Sequence, residues 1–99
     1  MKEQVVIRRY DVEKRGYSRY ELEKSELKRI NLRNANLNRA SLRETDLSKA
    51  NLVGVKLYGA DLVGADLCNA DLRWAYLRAA DLKQANLTGA NLVGCDLSN

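Results

Sequence analysis

Apolar residues recur along this chain with a period of five. Leucine stands at Leu22, Leu27, Leu32 and every fifth residue thereafter to Leu97, sixteen times without a miss, and nowhere else in the 99 residues. Two residues before each leucine from Leu37 onward runs a second column of small side chains, Ala35, Ala40, Ala50, Ala60 and onward, with Thr45, Val55 and Cys95 as its variants. Between the two lies a polar column of Asn and Asp, interrupted by Ser41, Lys56 and Tyr76. The two positions after each leucine carry most of the Lys, Arg, Gly and aromatic residues and read as solvent positions.

A period of five fits neither an amphipathic helix nor a plain strand. On a helix, steps of five turn about 500° at 100° per residue and would smear the leucines around the axis. In extended chain, residues two apart share a face, so the small residue and the leucine point inward while Asn or Asp points out. From leucine to the next small residue is an odd step of three, which flips the face unless the chain turns a corner. Gly54, Gly59, Gly64, Gly89, Gly94, Asn34 and Asn69 all stand at the second residue after a leucine, where such a corner takes positive φ. Short strands separated by corners wind into a coil, and coils stack through parallel backbone hydrogen bonds.

The motif Ala-(Asp/Asn)-Leu-x-x, as in Ala60-Asp61-Leu62-Val63-Gly64 and Ala85-Asn86-Leu87-Thr88-Gly89, resembles that of the pentapeptide repeat family over roughly residues 20–99. The resemblance implies an all-β fold, a right-handed quadrilateral parallel β-helix with four repeats per coil, and a chain of this length would make four to five coils. The columns themselves give the corner but not the number of corners.

Residues 20–99 are expected to form this β-helix and residues 1–19 a degenerate first coil, with Ile7, Val12 and Tyr17 keeping the leucine register although Arg15 breaks the inward one. A short capping helix with a loop at Gly16 is the alternative. Tyr10, Tyr17, Tyr20 and Ile30 are the residues to plug this end. No transmembrane run, signal peptide or linker is evident, so a single cytoplasmic domain is expected. Cys68 and Cys95 lack metal or redox spacing and read as a surface thiol and a small buried hydrophobe.

Catalysis has little to stand on. The chain contains no histidine, and a column of Leu and Ala leaves no cavity in which to desolvate a substrate. The Asp and Asn residues interchange freely, as expected for side chains that hydrogen-bond the local backbone at a corner rather than bind metal. No enzyme activity, cofactor, metal or small-molecule ligand is expected.

On the four-per-coil geometry, residues twenty apart stack, and the outer faces can be written as columns. One face gathers Arg39, Lys56, Tyr58, Tyr76 and Arg78, with Trp74 at the neighbouring corner. Aromatic residues beside arginine are enriched at contact surfaces, so Tyr58, Trp74, Tyr76, Arg78 and Arg39 form the candidate protein-binding site. Cation–π stacking among these same neighbours would equally account for them. A second face gathers a basic patch of Arg8, Arg9, Lys28, Arg29 and Lys49. The net charge of +4 comes from the first part of the chain, which makes a nucleic-acid-binding rod the alternative. Mimicry of DNA toward gyrase, an activity the family resemblance brings with it, fits poorly with a basic chain that contains no phenylalanine and no projecting loop. The last coil is expected to leave Leu82, Leu87, Leu92 and Leu97 open, and pairing of two copies through that end would cover them.

Overall fold

The computed structural model describes residues 27–98. Each five-residue unit consists of an extended stretch ending in leucine, followed by a turn. The leucine carbonyl accepts the N–H of the residue three further on, as from Val55 to Leu52 and from Ala65 to Leu62, both at 3.0 Å. The third residue of the turn has φ between 54° and 74° at every corner from Arg29 to Gly94, the signature of a type II turn. Only five of these corner residues are glycine, and Arg29, Asn34, Arg39, Glu44, Lys49, Asn69, Trp74, Ala79 and Gln84 take the same left-handed conformation. The closed hydrogen-bond ladder holds them there.

Successive coils pair in parallel with a register of twenty. Ten bridges, from Asn31 with Asn51 to Tyr76 with Asp96, all link residues twenty apart in the polar column. Three hydrogen bonds join each unit to its neighbour. Leu52 N–H donates to Asp71 O at 2.8 Å, Gly54 N–H to Arg73 O at 2.9 Å, and Asp71 N–H to Ala50 O at 3.0 Å. Twenty residues in units of five make four sides, which we number by their leucines: side 1 carries Leu27, Leu47, Leu67 and Leu87; side 2 Leu32, Leu52, Leu72 and Leu92; side 3 Leu37, Leu57, Leu77 and Leu97; side 4 Leu42, Leu62 and Leu82. The winding is right-handed, as crossovers between parallel strands almost always are. The described residues complete about three and a half coils at twenty residues each.

The core is a solid column. Leucines from Leu32 to Leu72 are fully buried, and Ala35, Ala40, Ala50, Ala60, Ala65, Ala70 and Ala75 fill the slots between them. Thr45 is also fully buried in this slot, its hydroxyl turned toward Arg43 O at 3.4 Å. Ile30 packs half-buried against the first described coil. The degenerate coil or cap expected over residues 1–19, including Tyr10 and Tyr17, and Tyr20 beside it, lies outside the described residues.

The positions after leucine are not uniformly solvent-facing. Val53 is buried in a column where Arg33 and Arg73 flank it in the neighbouring coils, and long arginine stems cover apolar surface well. Ser48 is also buried, its hydroxyl donating to Asp46 Oδ1 at 2.7 Å. No helix among the described residues is long and apolar enough to cross a membrane.

Candidate functional site

The polar column builds the surface. All eleven of its Asn and Asp residues between Asn31 and Asp96 accept, through Oδ1, the backbone N–H two residues later, at 3.0–3.2 Å. That N–H lies at the start of the turn, so each side chain caps a corner. The carboxylates are therefore structural. Asp46 is held below the ordinary aspartate range chiefly by the Ser48 hydroxyl, with the Ser48 N–H and Lys28 adding to it. Asp71 is lowered foremost by the Arg73 guanidinium, which lies 2.7 Å away in an ion pair, and Arg73 is raised in return. Arg43 reaches across to Asp61 in the next coil on side 4, also at 2.7 Å. Among the described residues no group of three or more metal-ligating side chains comes together.

Side 3 departs from this scheme. Lys56 and Tyr76 replace the capping residue in two consecutive coils, and they are bridge partners of one another. The Tyr58 N–H, which Lys56 cannot cap, is taken instead by Asn38 Oδ1 from the preceding coil at 2.9 Å. Tyr58 stands above Arg78 in the adjoining column, with Gly59 N–H bonded to Arg78 O at 3.0 Å beside them. The side thus presents a two-by-two checkerboard, Lys56 and Tyr58 over Tyr76 and Arg78. The guanidinium of Arg39 lies over the Tyr58 ring, 5.2 Å from its centroid. Trp74 stands at the corner leading into the same stretch, 61% exposed, while Tyr76 is 52% and Tyr58 41% exposed. Asp96 borders Tyr76 and is held ionised first by the Ser98 hydroxyl, with Arg78 contributing.

The five residues expected to bind a protein partner, Tyr58, Trp74, Tyr76, Arg78 and Arg39, are therefore brought to one side and the two corners that bound it, Trp74 at its start and Arg39 at its end. Lys56 completes the group. The cation–π reading holds for one pair, Arg39 with Tyr58, and leaves the Trp74 and Tyr76 rings on the surface. Of the basic patch, Lys28, Arg29 and Lys49 are exposed on side 1, with Arg29 and Lys49 in one corner column. Arg8 and Arg9 lie outside the described residues. Leu82, Leu87 and Leu92 are half-buried in the last described coil and Leu97 is 52% exposed. Cys95 occupies its inward slot, its thiol donating to Leu72 O at 2.8 Å and pushed upward in pKa by burial. Cys68 is half-buried, and both cysteines are free.

A four-sided parallel solenoid with an aromatic and basic lateral face defines a repeat scaffold. Pentapeptide repeats match residues 25–62 and 60–99 in eight copies, and the chain belongs to the pentapeptide repeat family. Among solved structures it is similar to Rfr23, a pentapeptide repeat protein from the cyanobacterium Cyanothece 51142, at 38% identity and a TM-score of 0.76, over 85% of this chain and 60% of that one. It is 42% identical to alr5209 from Nostoc PCC 7120, with a TM-score of 0.47, over 79% of this chain and 64% of that one. A pentapeptide repeat protein of the Arabidopsis thaliana thylakoid lumen is 31% identical with a TM-score of 0.45, over 86% and 56% of the two chains. The chain thus spans less than two thirds of the length of each of these proteins. No curated protein matches it significantly.

Proposed function

We propose that this chain is a non-enzymatic interaction module that presents side 3 to a protein partner. The observation that carries the reading is the exposure of Trp74, Tyr76 and Tyr58 on adjoining positions of one lateral side and its corner. Exposed aromatic clusters beside arginine are where binding energy concentrates at protein interfaces. The scaffold adds rigidity. Strands and corners are tied to the next coil by backbone hydrogen bonds, so the face is ordered before it meets a partner and loses little conformational entropy on binding. Among the described residues leucine and alanine fill most of the interior, with Thr45 and Cys95 as its polar members, and the charged side chains stand on the lateral faces, which supports binding over catalysis.

The test is pull-down and cross-linking with the parent and two triple-alanine variants. One replaces Trp74, Tyr76 and Arg78, the other Lys28, Arg29 and Lys49. A protein captured by the parent and lost only with the first variant supports the reading. Loss only with the second, together with salt-sensitive binding of an oligonucleotide, favours a nucleic-acid rod reading through the Arg29 and Lys49 column instead. Homodimer formation through the last described coil is a further proposal, supported by the exposure of Leu97. Light scattering on the parent and on Leu97→Glu tests it, with a dimer mass expected only for the parent.

A further inference from the structure

Side 3 replaces its own capping residue twice, at stacked positions, and only the first of the two corners finds a substitute cap, from Asn38. Elsewhere on the described surface Asn or Asp caps the corner, except at Ser41. At Lys56 and Tyr76 the chain places a cation and an aromatic ring instead, and the Arg78 N–H that Tyr76 leaves uncapped has no acceptor among the described residues. A repeat that abandons its own stabilising residue in register across two coils has side chains there serving another purpose.

The charges on this side are unbalanced. Lys56 and Arg78 are exposed, and neither forms an ion pair among the described residues. Arg39 adds a third cation, against the single carboxylate of Asp96 at the border. Strands in a parallel sheet lie about 4.8 Å apart and alternate residues about 6.8 Å apart, so Lys56 and Arg78 sit on a diagonal of about 8 Å. Alternate residues of an extended peptide are separated by nearly that distance, within the reach of carboxylate side chains. The Tyr58 ring face is taken by Arg39, which leaves no continuous row of open rings of the kind that stacks single-stranded nucleic acid.

We propose that the checkerboard docks an extended acidic segment of a partner protein. Acidic residues at alternate positions of that segment meet Lys56 and Arg78, and an apolar side chain beside them packs on Trp74 and Tyr76. This rests on the protein-partner reading above and specifies the partner's chemistry.

Panning a random twelve-residue phage-displayed peptide library against the immobilised protein tests it. Synthetic versions of the enriched peptides are then titrated against three variants: Lys56→Glu with Arg78→Glu, the Trp74, Tyr76 and Arg78 triple alanine, and Lys28→Glu with Lys49→Glu as a control on side 1. Circular dichroism and thermal melts establish that each variant is folded. The expected result is peptides with Asp or Glu at alternate positions, about tenfold or more weaker on the Lys56 and Arg78 reversal and within about twofold of the parent on the control. Peptides without acidic bias that still need Trp74 and Tyr76 would overturn the acidic segment and leave the protein-partner reading standing. No enrichment above an albumin surface, or peptides indifferent to the triple alanine, would overturn both. Tighter binding of a twelve-nucleotide oligo(dT) than of any peptide, lost on the Lys56 and Arg78 reversal, would replace the peptide with nucleic acid.

Discussion

The Trp74 indole lies over Gly94, its equivalent one coil later, in the space where a side chain at that corner would stand. Gly59 differs, because a methyl group there would meet only Arg39 Cγ at 3.5 Å. Both glycines have positive φ, so alanine at either costs about 1 kcal/mol of backbone strain. Gly94→Ala adds displacement of the indole. Trp74 is the only tryptophan, and its fluorescence is expected to change in Gly94→Ala and stay constant in Gly59→Ala. The extra cost of Gly94→Ala should vanish in a Trp74→Ala background, read by a denaturant double-mutant cycle.

Ala79 is exposed at a corner with φ of 62°. Ala79→Gly relieves the left-handed strain, partly offset by the greater freedom of glycine in the unfolded chain. A gain of about 0.5–1 kcal/mol in urea denaturation is expected. A loss would contradict the strain attributed to the corner.

Leu67 is fully buried in the middle of the column and Leu97 is half exposed. Leu67→Ala should cost about 2–5 kcal/mol and Leu97→Ala far less. Leu67→Lys, which buries a charge without a partner, should abolish cooperative folding. A natively folded, cooperatively melting Leu67→Lys protein would contradict the inward assignment.

Asp46, Asp71 and Asp96 all have pKa values lowered from the ordinary 3.8 by hydrogen bonds to their ionised form. A carboxylate with a lower value in the folded chain contributes stability that is complete above its unfolded value and disappears as pH falls through the folded one. Melting temperature should thus hold from neutral pH to about 4 and fall below it. Asp46→Asn keeps the Oδ1 cap and loses the titration, so thermal melts of this variant should fall less steeply in acid.

Tyr76→Asn returns a cap to the Arg78 N–H. It should stabilise the fold by about 0.5–1.5 kcal/mol while weakening partner binding. Opposite changes in melting temperature and peptide affinity would show that side 3 trades stability for contact.

Much of this was legible in the leucine ladder. Inward and outward columns, the corner at the second residue after leucine, and capping by Asn and Asp all follow from strand alternation and turn chemistry, and the structure bears them out. The number of sides does not follow, because five-residue units alone would close equally well into other polygons. The register of twenty is what makes Lys56 the neighbour of Tyr76 and Tyr58 the neighbour of Arg78, so the checkerboard is visible only once four sides are known. Two details were not legible at all. The rescue of the Tyr58 N–H by Asn38 depends on a side chain reaching one coil forward, and Val53 is buried although it stands at a position after leucine, in a column with Arg33 and Arg73.

The two nested periods, five for the corner and twenty for the side, constrain how such a chain can be lengthened or cut. Removing five residues between Gly59 and Trp74 takes out one leucine and one turn but leaves all the others in register, so the column still closes. It also rotates everything downstream by a quarter turn, carrying Tyr76 and Arg78 to a different wall from Lys56 and Tyr58. Putting five residues back anywhere in that stretch returns them to the same wall. Insertions and deletions in this architecture therefore act as a dial on surface chemistry, and a contact face can be dismantled or reassembled without altering a single residue that composes it.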